Sequence, residues 1–165
     1  MSKSFSIYVS GNPPEMLQNP PKQYAHLGVL FTPFCVSVGG YAFPHGIWTD
    51  FSGVLLLRWH QEIRRLIAHE SRYARLIFCD TPGEVWLRRT RGPWWKVSCV
   101  TWTGERKVKT VEAEALCRPE HVEAELHAAS HTLLDAARNA GVWTDDASAL
   151  EAFLNGEVIA SGSSS

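Results

Sequence analysis

The chain has 165 residues, enough for one domain whose core needs no disulfide or metal staple. A content of 45% hydrophobic and 20% charged residues excludes a disordered or fibrous chain. The longest unbroken apolar run, Val54 to Leu57, is far short of the ~18 residues of a spanning helix. The net charge of −1 hides a division: residues 1–57 are neutral, residues 58–109 carry +7 and residues 110–165 carry −8. Such a split either pairs internally or presents two faces of opposite sign.

The first residues hold no continuous apolar segment and no small-residue cleavage site, so no signal peptide is expected and the protein is placed in the cytoplasm. Phe5, Ile7 and Val9 alternate and predict a short strand. Four prolines between Gly11 and Lys22 predict a loop, because proline removes a donor and restricts its predecessor. "HLGVLFTPFCVSVGG" reads as a second strand, with a bulge or an edge position at Pro33 and an end at Gly39-Gly40.

A helix is predicted over residues 50–69, capped by Thr49 or Asp50. Phe51, Leu55, Trp59, Ile63 and Leu66 recur at spacings of three and four and form its apolar stripe. Four strand-like runs follow, "YARLIFC", "EVWLRRTR", "WWKVSCVTWT" and "RKVKTVEAEAL", divided by "DTPG", "GP" and "TGE". Connections this short require antiparallel neighbours. Pro119 suits the first position of a further helix with the seam Val122, Leu126, Ala129, Leu133, Ala137 and Ala140; Gly141 stops it. A shorter helix follows, capped by Thr144 or Asp145.

The expected fold class is α+β: one antiparallel sheet of about six strands, two N-terminal and four in a meander. A long helix follows strand two, and two C-terminal helices pack on the sheet. Residues 1–160 form the single domain and residues 161–165 a Ser/Gly tail.

Cys35, Cys79, Cys99 and Cys117 are widely spread and form no C-x-x-C pair, so reduced, mostly buried thiols are expected. Glu123, His127 and His131 fall four apart on one helix face, the one metal-like spacing in the chain, but no fourth ligand lies near in sequence. A solvated polar face is the plainer reading, and neither metal nor cofactor is expected. The H-x-E of His121 to Glu123 lacks the downstream P-C-x-x-C that a zinc deaminase needs. Phosphate-loop, dinucleotide and nucleophile-elbow patterns are absent. A Cys–His pair needs only to meet in space, which sequence does not decide. No catalytic residue is assigned.

Two charged regions remain. Trp86, Trp94, Trp95 and Trp102 interleave with Arg88, Arg89, Arg91, Lys96, Arg106, Lys107 and Lys109. Strand alternation would bring Trp94, Lys96 and Trp102 to one sheet face with Arg88 or Arg89 beside them, a way to hold single-stranded nucleic acid. An ordinary half-exposed sheet gives the same pattern, and no RNP-like or GxxG motif favours nucleic acid. Glu112, Glu114, Glu120, Glu123, Asp145 and Asp146 either solvate helix faces or imitate phosphates in the basic cleft of a partner protein.

Three stretches, "FPHGIWTDFSGVLLLRW", "LIFCDTPGEVWL" and "GVWTDDASALEAF", resemble in order and character a group of small bacterial proteins of the polymorphic-toxin immunity type. There a Trp-x-Asp-Phe opens a helix and a later strand ends in an Asp-Gly-Pro turn, where this chain has Asp80-Thr-Pro-Gly. The resemblance spans residues 43–153 in outline and implies a stoichiometric role. Such a protein binds one toxin in the cytoplasm of its producer, blocks the toxin's active site, and needs no catalytic residue. The implied partner is a cognate toxin encoded by an adjacent gene, with no membrane involved and the oligomeric state open.

Overall fold

The computed structural model describes residues 5–11, 29–79, 81–105 and 108–157; the proposed Ser/Gly tail lies outside them. The first sheet has three antiparallel strands in the order β1 (Phe5–Val9), β2 (Thr32–Val38) and β3 (Tyr41–Asp50). Helix α1 (Ser52–Ile67) follows β3. The second sheet is the antiparallel meander β4 (Tyr73–Ile77), β5 (Gly83–Arg89), β6 (Trp95–Thr103) and β7 (Val108–Cys117). Helices α2 (Pro119–Asn139) and α3 (Asp145–Leu154) complete the fold. No helix among the described residues is long and apolar enough to cross a membrane.

The α+β class, the antiparallel pairing and three helices agree with the sequence reading; the single six-stranded sheet does not. There are two sheets, and the long helix follows strand three. The missed strand, β3, carries Pro44 and Gly46 in its middle and shows no period of two. Phe34 pairs with Trp48 and Val36 with Phe43, so residues 44–47 bow out opposite Cys35 alone. Pro33 lies in the central strand of its sheet rather than at an edge, and the irregularity falls just after it, between Phe34 and Val36.

The start of α1 also differs from expectation. Phe51 is the N-cap of α1, and no side chain caps the helix. Asp50 is instead buried, and its two carboxylate oxygens accept from Phe51 N (2.8 Å) and Cys79 N (3.0 Å). It thereby ties the start of α1 to the end of β4. The helix closes through His69 in the left-handed region (φ 63°), a common helix stop. Thr144 is the N-cap of α3, and its hydroxyl donates to Asp146.

One core unites both sheets and all three helices. At its centre, Phe34 of β2 and Phe78 after β4 each lie 5.3 Å from Trp59 of α1, and Phe43 of β3 reaches Phe78 at 5.7 Å. The Trp59 indole N–H donates to Ile77 O, satisfying the one polar atom of the buried ring. The stretches 43–59, 76–87 and 141–153 all contribute to this core. A Cβ on Gly53 would run into Asp146 Oδ2, and one on Gly83 would lie 2.7 Å from the Phe43 ring. Those glycines are required by close approach, and the motif residues around them build the core.

Candidate functional site

Because strand residues alternate between faces, the meander has two distinct surfaces. Ala74, Leu76, Val85, Leu87, Val97 and Cys99 point into the core. The opposite face carries Tyr73, Arg75 and Ile77 from β4, and Glu84, Trp86 and Arg88 from β5. Lys96, Ser98, Val100 and Trp102 of β6 and Lys109, Val111, Glu114 and Leu116 of β7 continue it. Tyr73, Ile77, Val111 and Leu116 are each close to half exposed there.

The face is organised around Trp86. Tyr73 stacks beside it (centroids 6.2 Å apart, planes 23° apart) and Trp102 tilts against its other side at 6.2 Å. Lys109 Nζ sits 3.8 Å from the ring centroid, a cation–π contact. Glu84 fixes the group from one end. It accepts Nε and Nη2 of Arg75 (2.8 and 2.5 Å) and the Trp86 indole N–H (2.5 Å). Burial raises the Glu84 pKa, but the bonds from Arg75 and Trp86 and the charge of Arg75 outweigh it, so the carboxyl titrates below its ordinary range.

At the other end, Lys96 Nζ lies 2.7 Å from Glu114 Oε1, and Ser98 donates to the same oxygen at 2.9 Å. The hydrogen bond from Lys96, with help from Ser98 and the charge of Arg88, holds Glu114 below the usual carboxylate range. Between these two ends lies a hollow of about 300 Å³ lined by Tyr73, Trp86, Arg88, Lys96, Lys109 and Glu114.

Of the expected basic and aromatic set, Arg88, Lys96 and Trp102 share this face; Arg89 and Trp94 do not. Arg89 donates to Ile67 O and contacts His69, completing the end of α1. Trp94 precedes β6 and lies under the Arg118 guanidinium at 4.4 Å. Tyr73, Arg75 and Glu84 were absent from that set, since they precede the Trp86–Lys109 stretch in which aromatic and basic residues interleave. Trp86, at the centre, stood in the interleaved region without being singled out.

The acidic set does not form one surface. Glu114 belongs to the outer face just described. Glu112 is the extra residue of a β-bulge in β7 and accepts from Thr101. Glu120 lies in the first turn of α2 and Asp145 in that of α3. Asp146 is buried, which corrects its assignment to a partner surface. Both its oxygens accept Leu30 N, and Thr144 and Ala147 N add to this. Burial outweighs these bonds and pushes its pKa up.

Glu123 and His127 line a separate hollow with His60 of α1, while His131 is exposed. Among the described residues, no three His, Cys, Asp or Glu side chains are grouped to hold a metal. His60 and His127 pack edge to face, centroids 4.9 Å apart. Ser130 donates to Leu126 O, so His60 Nε2–H must be the donor to Ser130 Oγ (3.0 Å), which assigns its neutral tautomer. Burial, then the charges of His127 and Arg64, lower the His60 pKa to about 3. Cys99 and Cys117 are buried, Cys35 is half-buried and Cys79 exposed. Burial pushes the Cys35 thiol up and that of Cys99 to about 12, keeping both protonated near neutral pH.

No family model, no curated protein and no solved structure matches this chain.

Proposed function

We propose that this chain is a non-catalytic protein of the immunity type. It binds one cognate bacterial toxin in the cytoplasm, covers the toxin's active site, and presents the outer face of the β4–β7 sheet to it. The observation that carries this reading is the character of that face. Tyr and Trp rings sit at its centre, exposed Ile77, Val111 and Leu116 surround them, and cations are interspersed with carboxylates. Trp, Tyr and Arg dominate binding energy in protein interfaces, where partly ordered rings cost little entropy on docking. The rings are already braced by Glu84, Tyr73 and Lys109 and need no rearrangement to receive a partner.

Coexpression with the product of the adjacent gene tests the proposal. Restored growth and a co-purifying one-to-one complex are expected. Continued toxicity with no complex would sink it.

Nucleic-acid binding by the same face is the second reading, favoured by the grouping of Arg88, Lys96 and Trp102. It is weaker physically because Lys109 already covers one face of the central ring and two of the cations are paired. Oligonucleotide binding that falls as salt rises would support it over toxin binding.

A further inference from the structure

The outer face has a feature that neither folding nor a generic protein contact requires. Strand register sets Arg88 directly opposite Lys96, and like charges in that position destabilise a sheet. Lys109 adds a third cation from β7, so three neighbouring strands deliver positive charge to one hollow of about 300 Å³. Among the described residues, Glu114 is the one carboxylate lining it, held by Lys96 and Ser98. Arg75, the face's remaining described cation, is matched by Glu84. The hollow therefore keeps an excess of two cations over a floor made by Tyr73 and Trp86.

We infer that this hollow receives an acidic segment of the protein partner, whose carboxylates lie among Arg88, Lys96 and Lys109 while its apolar side chains meet Val111 and Leu116. Glu114 already occupies part of the site as an internal carboxylate, and the incoming acid competes with it for Lys96. Polypeptide carboxylates fit better than a nucleic-acid strand for two reasons. The Trp86 ring is flanked by Tyr73, Trp102 and Lys109, which leaves a base little plane to stack on. The rim is aliphatic at Val111 and Leu116, both exposed. The chemistry also reverses the expectation drawn from the acidic C-terminal third: on this face the partner supplies the negative charge.

The inference rests on the protein-binding reading above and is tested separately from it. The full-length protein is titrated, following tryptophan fluorescence, with a short peptide of alternating Glu and Val. The same peptide with Gln for Glu, and an oligothymidine, serve as comparisons. The Glu peptide binds, its affinity falls with added salt, and Arg88→Glu together with Lys96→Glu weakens it by about tenfold or more. Glu114→Gln strengthens it, a gain that misfolding does not produce. Failure of the Glu peptide to bind, equal binding of the Gln peptide, or tighter binding of oligothymidine would overturn the inference. A toxin complex insensitive to the double charge reversal also overturns it and leaves the immunity proposal standing. Peptide binding without any toxin complex does the converse.

Discussion

The two faces of the β4–β7 sheet are made by the same four strands and differ in almost every physical respect. The inner face is apolar, closed over by α1 and the first sheet, with Trp95 buried in it, and the indole N–H of Trp59 beside it finds a carbonyl. The outer face is aromatic and charged, with half-exposed apolar residues at its margins. Inside, tight contacts such as Gly83 against Phe43 leave no freedom. Outside, Lys96 and Glu114 form a surface ion pair, of a kind that adds little to stability. The contrast teaches that the tryptophans of this chain do two jobs: Trp59 holds the domain together, while Trp86 and Trp102 brace an open surface.

Substitutions should separate the faces by size of effect. Trp59→Ala empties the junction of both sheets with α1 and should cost about 3–5 kcal/mol in denaturant unfolding. A loss like that of an exposed ring would show that the two sheets do not share this core. Gly53→Ala drives a methyl into Asp146 and breaks its hold on Leu30 N, with an expected cost of roughly 2–4 kcal/mol. A wild-type melting temperature for this variant would refute that joint.

His60 gives the inner region a pH signature. Its folded pKa of about 3 lies below the ordinary 6.5, so the unfolded chain binds the extra proton between those values. Its contribution is complete above pH 6.5 and is lost as pH falls toward 3. Between pH 7 and 5 it should account for roughly 2 kcal/mol of lost stability. His60→Gln keeps a donor for Ser130 and should flatten that part of the curve. The raised pKa of Asp146 acts in the opposite sense, losing stability as pH rises through it, so the difference between wild type and variant is the quantity to measure.

The smallest effect belongs to the outer face. Lys96→Gln removes one side of a pair whose members are both more than a third exposed, and should change stability by about 0–1 kcal/mol. A larger loss would make the outer face part of the structural framework and weaken the case for a binding surface.

Much of this was legible in the sequence, and the failures have identifiable causes. Short turns after Cys79, Arg91 and Thr103 fixed the antiparallel meander, because nothing else fits such connections. The stripe from Leu55 to Leu66 and Pro119 at the start of α2 located two helices. β3 was hidden because Pro44 and Gly46 bow it away from β2 and destroy its alternation. Alternation rightly placed Lys96 and Trp102 together but wrongly added Trp94, which stands before the strand begins. The acids counted as one block are dispersed because they lie on a strand and two helices, and because a turn of about 100° per helical residue leaves Asp145 exposed and Asp146 buried.

By itself the sequence determined the α+β class, the strand order of the meander, the three helices and the uneven distribution of charge, since each follows from local periodicity, turn length or composition. Only the tertiary structure decided that the strands divide into two sheets, that the three motif stretches converge in the core, and that Tyr73, Trp86 and three cations meet in one hollow. Those outcomes depend on which distant segments lie side by side, and local pattern carries no information about that.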